Sequence, residues 1–261
     1  MPPLPGAWNF RDVAVETGIR PGLFYRSGEL SNLDDDGRAE LTRLEITDVA
    51  DLRSGPELQR HGPGLVPDGV EIHHLPFVET IVSNGDAPHE HAWQQLMTEK
   101  PEGESVADAA ARFMSEEYGR FARSRLAQRA VHRVVTLLGT DHRVLAHCFA
   151  GKDRTGFTIA VVLETAGVDR DAIMRDYLAS NTAVPELRAV ILDNIRHRGG
   201  DSPEVVESAQ LRLTDEVLGV RPLYLDMARQ AIDEEFGSLD EYLSGAGVTA
   251  ADIEALRAAL T

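Results

Sequence analysis

The segment that most constrains the fold is a helical stretch that is apolar on nearly every face. It spans residues 155–166, and such a helix must be covered on all sides by other elements. A short apolar run, residues 143–148, comes just before it and predicts a buried strand. A strand, a tight loop and a buried helix in succession are typical of an α/β fold with parallel strands. The apolar helix positions are Phe157, Ile159, Ala160, Val161, Val162, Leu163 and Ala166.

Strand and helix patterns also alternate before that segment, with a turn at Ser54-Gly55-Pro56. The predicted elements are a helix over 34–44, strands over 46–52 and 70–75, a polar surface excursion over 79–105, and helices over 106–118 and 119–138. The remainder reads as helical, over 169–180, 184–197, 203–218, 221–236, 238–244 and 249–260. We therefore expect one α/β domain over residues 1–261, with a mostly parallel central sheet flanked by helices and a helical C-terminal region.

Charge and cysteine content exclude several classes of protein. Lys and Arg number 26 against 43 Asp and Glu, and the net charge of −17 argues against binding to nucleic acid or to an anionic membrane surface. A single cysteine excludes an intramolecular disulfide and a Cys-rich zinc site. We see neither an apolar run of about 18 residues nor a secretory signal pattern. We expect no transmembrane segment, and either a cytoplasmic location or secretion without a cleavable signal peptide.

The one cysteine, Cys148, lies where the strand over 143–148 ends, and Arg154 follows where the buried helix begins. Backbone N–H groups of a short loop before a helix converge on an anion, and the helix dipole adds positive charge there. Gly151 supplies the unusual backbone angles of such a loop. In that field the pKa of a thiol falls from about 8.5 to roughly 3.5–7.5. The loop is therefore expected to hold a thiolate beneath a bound phosphate.

A thiolate in this position is placed for in-line attack at phosphorus, and no metal or cofactor is required. Arg154 would stabilise the equatorial oxygens, and Thr155 would hydrogen-bond the sulfur when it leaves. The expected phosphate-binding residues are Phe149, Ala150, Gly151, Lys152 and Arg154. The alternatives are a buried structural cysteine, a rhodanese-like sulfurtransferase, and a pseudophosphatase that only binds phosphorylated partners.

Residues 147–156, HCFAGKDRTG, resemble the signature of the Cys-dependent protein tyrosine phosphatase superfamily. Residues 5–13 (PGAWNFRDV), 25–30 (YRSGEL) and 46–54 (ITDVADLRS) extend the resemblance towards the N-terminus, and it continues to the C-terminal helices. It implies a tyrosine-phosphatase-like fold and hydrolysis of phosphotyrosine through a phosphocysteine intermediate. Several members also accept phosphoserine, phosphothreonine or phosphoinositides. The resemblance further implies a two-helix lid over 184–218; periodicity alone fits ordinary docked helices equally well.

The general acid has three candidates. Asp153 lies in the loop itself, and Glu79 follows the second strand at a position where the resembling pattern carries Asp. Asp51, at the end of the first strand, is assigned a structural role, and Asp153 is preferred over Glu79. Lys152 either meets a second phosphate of a polyanionic substrate, such as a phosphoinositide, or pairs with Asp153. We therefore expect phosphorylated proteins as partners, with a phosphoinositide-directed enzyme as the alternative.

Supporting residues are expected around the loop. His147 would tune the thiolate or serve as a satisfied core histidine, and the N-terminal motif would buttress the loop through Asn9, Arg11, Asp12 and Arg26. The alternative for that motif is a solvated N-terminal segment capped by Trp8 and Phe10. The pairs His73-His74 and His89-x-His91 lack a matching carboxylate set in the sequence, so we expect no metal there.

Overall fold

A computed structural model describes residues 4–78, 103–199 and 203–261. Among these residues, five short strands form one sheet. The strands are β1 (Arg11–Asp12), β2 (Phe24–Ser27), β3 (Asp48–Asp51), β4 (Glu71–His74) and β5 (Val144–His147). Their order across the sheet is β1-β2-β5-β3-β4, and only the β1–β2 pair is antiparallel. The expected mostly parallel sheet is confirmed, and β5 is its central strand.

Helices surround this sheet and form the C-terminal region. Those before β5 are α1 (Ala14–Thr17), α2 (Asp35–Arg43), α3 (Gly55–His61), α4 (Val106–Arg123) and α5 (Arg125–Gly139). Those after β5 are α6 (Asp153–Ala166), α7 (Arg170–Ala179), α8 (Val184–Gly199), α9 (Pro203–Arg212), α10 (Asp215–Leu218), α11 (Pro222–Phe236), α12 (Leu239–Gly245) and α13 (Ala250–Leu260), with a 3₁₀ turn over Ser180–Ala183 between α7 and α8. None of the helices in the described residues is long and apolar enough to cross a membrane.

The two faces of the sheet contribute to separate hydrophobic clusters because side chains alternate along a strand. Val144 and Ala146 of β5 belong to the larger cluster, which includes α5 and α6. Leu145 of β5 belongs to the smaller one, together with Val49 of β3 and Leu41 of α2. The helix α6 is buried along most of its length, as its apolar pattern predicts.

Two predicted helix boundaries are wrong. The helices predicted over 106–118 and 119–138 instead meet at Ser124. Ser124 has extended backbone angles, and its hydroxyl caps the start of α5 by accepting a hydrogen bond from the N–H of Ala127 in the first turn. Gly119, taken as the break, lies inside α4. The single helix predicted over 203–218 is two helices, α9 and α10, separated at Leu213-Thr214.

Other elements were not predicted. The turn at Ser54-Gly55-Pro56 is the start of α3: Ser54 and Glu57 form a reciprocal capping box, and Pro56 fits the first turn of a helix. Strand β2 was missed because all four of its residues are buried and two of them, Arg26 and Ser27, are polar. Of the surface excursion predicted over 79–105, residues 79–102 lie outside the described part of the chain.

Candidate active site

The cysteine loop lies at the carboxyl edge of the central strand. Cys148 follows β5 directly and is buried, and α6 begins at Asp153. Arg154, expected to open the helix, is its second residue. In open α/β sheets ligands bind at this edge, beside the strand where the order of the chain reverses. The cysteine and the helix N-terminus are therefore brought to one place, as the strand-loop-helix pattern predicts.

Gly151 packs the loop against the end of β2. Its φ of +66° lies in the left-handed region, and a Cβ atom there would lie 2.1 Å from the carbonyl oxygen of Ser27. The Glu29 N–H also donates to the carbonyl of Phe149 at 2.9 Å. Only glycine fits this close approach with this backbone conformation.

The loop carbonyls are held from the outside. Asn9 Nδ2 donates to the carbonyl oxygens of Ala150 and Gly151 at 3.1 and 3.0 Å, and Arg26 Nη2 donates to that of Gly151 at 2.7 Å. In a trans peptide the next N–H points opposite to the carbonyl. The N–H groups of Gly151 and Lys152 therefore point away from these donors, as an anion-binding loop requires.

A buried carboxylate from α7 joins the two arginines of the N-terminal motif. Asp176 accepts from Arg26 at 2.5 Å and from Arg11 at 2.8 Å, and Arg11 in turn donates to the side-chain oxygen of Asn9 at 2.5 Å. Burial opposes ionisation of Asp176, but the two arginines together lower its pKa. The motif is thus tied to the loop through Asn9 and Arg26 rather than forming a solvated segment. Asp176 was not identified from the sequence.

Asp12 is not brought to the loop. Its carboxylate accepts hydrogen bonds from the N–H groups of Ala14 and Gly22 at 2.9 and 2.7 Å. These contacts organise the connection between β1 and β2. Asp12 therefore stabilises that connection, whereas Asn9 and Arg11 support the cysteine loop.

Glu57 holds the guanidinium of Arg154, a role that the sequence alone did not reveal. Its two carboxylate oxygens accept from Nη1 and Nη2 of Arg154, each at 2.6 Å, and Ser54 donates to the same carboxylate through its N–H and hydroxyl. Burial opposes ionisation of Glu57, yet Arg154 and Ser54 hold the pKa of that carboxyl well below its usual range. The Ser-x-x-Glu spacing at 54–57, typical of a capping box, was the available signal.

Asp153 and Lys152 pair with each other, as one of the two interpretations of Lys152 predicts. Lys152 Nζ lies 2.9 Å from Asp153 Oδ2, and the Tyr118 hydroxyl donates to Asp153 Oδ1 at 3.2 Å. The Tyr177 hydroxyl donates to that of Tyr118 at 2.7 Å. Asp153 is therefore positioned by a tyrosine pair from α4 and α7. Glu79, the other candidate for the general acid, lies outside the described residues.

His147 directly precedes Cys148, Thr155 directly follows Arg154, and both are fully buried. His147 Nδ1 lies 3.2 Å from the carbonyl oxygen of Cys148, and burial lowers the pKa of the imidazole while the nearby Asp51 carboxylate opposes that shift. The Thr155 hydroxyl makes no hydrogen bond among the described residues. The expected bond from Thr155 to the sulfur is therefore not formed in this conformation.

Aromatic and apolar side chains line the outer side of the loop. The ring of Phe149 lies 5.2 Å from that of His61 and 5.9 Å from that of Trp8, measured between centroids. Phe149 and Ala150 also belong to a cluster with side chains of α8 to α10 and of the short connections between them. The buried members from these helices and connections are Val184, Leu187, Leu192, Leu213 and Leu218. The segment predicted as a lid thus contacts the cysteine loop.

The first histidine pair lies in β4. His73 Nε2 lies 2.6 Å from Asp48 Oδ1, and Asp48, Glu71 and His73 have ligand atoms within 4.8 Å of one another. Asp48 and Glu71 begin their strands, so this group lies at the sheet edge opposite Cys148. His74 contacts the carbonyl of Arg53. The pair His89-x-His91 falls outside the described residues.

Comparisons with known proteins agree with this geometry. A sequence profile described as "Tyrosine phosphatase family" matches residues 2–261. A triple specificity protein phosphatase, PtpB, of Mycobacterium tuberculosis is 54% identical over 269 residues, covering 98% of this chain and 98% of that protein. A second relative, from Cupriavidus necator and assigned by name to the tyrosine-protein phosphatases, is 32% identical across 91% of this chain and 81% of its own length. The chain therefore belongs to the tyrosine phosphatase family and is a hydrolase of phosphoric monoesters.

Proposed function

We propose that the protein hydrolyses phosphotyrosine monoesters through a covalent intermediate on Cys148. The thiolate attacks phosphorus, the P–S bond forms, and the ester P–O bond breaks as the leaving oxygen takes a proton from a general acid. Water then attacks the phosphocysteine, its proton passes to the same group, and the P–S bond breaks to release phosphate. The observation that carries this proposal is the loop from Cys148 to Arg154, with its carbonyls held outward and α6 beginning beneath it.

Arg154 and the loop would stabilise the transition state. The N–H groups of Gly151 and Lys152 point away from the donors that hold the loop carbonyls, and the dipole of α6 adds positive charge. Glu57 fixes the plane of the Arg154 guanidinium, so the arginine does not have to be ordered when phosphate binds. The residues that surround the phosphate would be Cys148, Phe149, Ala150, Gly151, Lys152 and Arg154.

The general acid would be Asp153, with Glu79 as the alternative. Asp153 opens α6 at the loop and accepts a hydrogen bond from Tyr118. In the second step this group takes a proton from water, so that step requires the ionised form. The first step requires the protonated form, so the two steps place opposite demands on Asp153.

The substrate range would extend to phosphoserine, phosphothreonine and phosphoinositides. A relative 54% identical to this chain is named a triple specificity protein phosphatase. Lys152 would contact a second phosphate of a polyanionic substrate after leaving its pair with Asp153. We further propose that residues 1–261 form one phosphatase domain in which 184–218 act as a lid, because α8 to α10 pack on Phe149 and Ala150.

A phosphate-release panel tests this proposal. Wild-type enzyme and Cys148→Ser are assayed on a phosphotyrosine peptide, a phosphoserine peptide and phosphoinositide vesicles. Release from the tyrosine peptide by wild type, and its loss in the variant, supports the mechanism. Activity that survives in Cys148→Ser overturns it, binding without turnover by wild type identifies a pseudophosphatase, and sulfur transfer from thiosulfate identifies a sulfurtransferase.

A further inference from the structure

Three side chains that can bind a metal ion meet at the edge of the sheet opposite Cys148. Asp48 and Glu71 are the first residues of β3 and β4 and are paired in the parallel register, and His73 lies two residues further along β4. Residues two apart in a strand point to the same side of the sheet. The register therefore brings Asp48, Glu71 and His73, here called the edge cluster, to one face, and their ligand atoms lie within 4.8 Å of one another.

The imidazole of His73 contacts both carboxylates. Its Nε2 lies 2.6 Å from Asp48 Oδ1, and its Nδ1 lies 3.4 Å from Glu71 Oε1. The other oxygen of Asp48, Oδ2, lies 2.5 Å from Nδ1 of His142, which comes two residues before β5 begins. Carboxylates that bind a metal are commonly held by a further hydrogen bond of this kind. His142 thus orients Asp48 from outside the edge cluster.

The edge cluster carries negative charge that no basic side chain neutralises. Asp48 is buried, and burial opposes its ionisation, but hydrogen bonds from the two histidines and from Thr47 lower its pKa. In the described part of the chain, the ion-pair partners of Asp48 and Glu71 are histidines, and neither carboxylate pairs with a lysine or an arginine. Buried charges in proteins are paired or coordinate metals. Two carboxylates beside neutral imidazoles match the charge of a divalent cation.

The exposure of the edge cluster gives a cation a path from solvent. The side chains of Asp48 and His73 are more than nine-tenths buried, whereas that of Glu71 is 70% exposed. A cation therefore reaches the two buried ligands from the side on which Glu71 lies. Imidazole together with carboxylate oxygens is a ligand set that Zn²⁺ accepts, and three protein ligands leave a fourth tetrahedral position for water.

We propose that Asp48, Glu71 and His73 form a Zn²⁺ site that stabilises the starts of β3 and β4, with His142 as a positioning residue for Asp48. The site lies at the sheet edge opposite Cys148, so it is separate from the proposed phosphatase chemistry. The sequence led us to expect no metal at His73 because Asp48, its buried carboxylate partner, is 25 residues away in the chain. Only the pairing of β3 with β4 brings the two together.

Zinc binding by the full chain tests the proposal. Every protein carries Cys148→Ser, so that the thiol does not bind the metal, and is first stripped of metal by a chelator. Calorimetric titration with Zn²⁺ measures affinity and stoichiometry, and thermal unfolding measures the Tm. We expect one Zn²⁺ to bind at the edge cluster and the Tm to rise with Zn²⁺ concentration, because only the folded chain presents the site.

Point variants locate the ion. His73→Gln removes a ligand and should weaken Zn²⁺ binding about 100-fold. His142→Ala removes the hydrogen bond to Asp48 and should weaken it about tenfold. His74→Gln is the matched control, because His74 is the next residue of the same strand and contacts the carbonyl of Arg53 instead. It should leave the affinity unchanged.

Glu71→Gln provides a test that does not put folding at risk. Glu71 lies at the surface, so the variant should keep the Tm of the metal-free chain while its affinity for Zn²⁺ falls about tenfold. The control is Glu45→Gln, an equally exposed glutamate that pairs with Arg143. If the Cys148→Ser chain binds no Zn²⁺, if His73→Gln and Glu71→Gln keep its affinity, or if His74→Gln loses as much as His73→Gln, the proposal is overturned. These measurements require no turnover, so their failure is distinct from failure of the proposed phosphatase mechanism.

Discussion

Glu57 binds Arg154 end-on through two parallel hydrogen bonds of 2.6 Å, and the pair lies at the junction between the cysteine loop and the helix that follows β3. The carboxylate is itself fixed by Ser54, so the orientation of the guanidinium is set before substrate arrives. Such preorganisation avoids an entropic cost in the transition state.

Replacing Glu57 by alanine should lower kcat about 100-fold and destabilise the fold by about 3–5 kcal/mol, because it removes the buried carboxylate that neutralises the partly buried guanidinium of Arg154. Steady-state kinetics and urea unfolding measure the two effects. Glu116→Gln is the control, since Glu116 pairs with Arg112 and Arg120 at the surface and should change neither quantity appreciably. Unchanged kcat in a folded Glu57→Ala would contradict the positioning role.

Gly151→Ala should abolish most activity, by about 100-fold or more, because the added methyl would meet the Ser27 carbonyl and force the loop open. Phosphate release and vanadate affinity should fall together. Gly167→Ala is the matched control: Gly167 also has a positive φ, of +87°, and a Cβ added there would meet no atom within 4 Å. It should cost about 1 kcal/mol of stability and leave the activity intact. If both variants lose the same activity, the loss is caused by backbone strain and not by the contact with the Ser27 carbonyl.

The stability that Asp176 provides should depend on pH. Its pKa is lowered in the folded protein, so the unfolded chain takes up the proton first as the pH falls. The stabilisation is complete above the pKa of an unfolded Asp, about 3.9, and is lost as the pH falls through the lower folded value. Asp176→Asn should therefore destabilise strongly at pH 7, and the difference from wild type should shrink below about pH 4. Urea unfolding across this range measures it. The control is Asp226→Asn, which breaks a surface pair with Arg229 and should keep the wild-type dependence of stability on pH. If the stability difference between Asp176→Asn and wild type stays constant with pH, the linkage is refuted.

Asp153→Asn and Glu79→Gln identify the general acid. An aryl phosphate has a good leaving group and needs little protonation, whereas an alkyl phosphate needs a full proton transfer. The variant that removes the acid should lose about 10²–10⁴-fold on the alkyl substrate and far less on the aryl one. We expect this pattern for Asp153→Asn. If both variants show equally small losses of rate on the alkyl substrate, neither residue is the general acid.

Leu213→Ser should raise the rate at which iodoacetamide labels Cys148 severalfold, because Leu213 is buried in the cluster that joins α8 to α10 to the cysteine loop. Leu211→Ser is the same change two residues away, at a side chain that is 76% exposed, and should leave the rate unchanged. Labelling that is unaffected by Leu213→Ser would indicate that these helices do not control access to the thiol.

The cysteine loop could be predicted because its information is local. The apolar strand, Cys148, Gly151 and the buried helix are adjacent in the chain, and their order alone brings a thiol to a helix N-terminus. The predictions of the helix ends were less accurate because a single capping residue decides where a helix ends. Ser124 ends α4 and begins α5, whereas Gly119, the stronger breaker by type, is tolerated within α4.

The partners of the loop could not be predicted because they come from distant parts of the chain. Glu57 is 97 residues from Arg154, and Asp176 is 150 residues from Arg26. Each is an ordinary charged residue on a short helix, and only the packing of β2, β3 and α7 around β5 buries it beside an arginine. Short-range sequence patterns determined the nucleophile, the phosphate loop and the α/β class of this protein. The tertiary structure decided which charges hold that loop in place, because long-range ion pairs form only when burial removes the competing water.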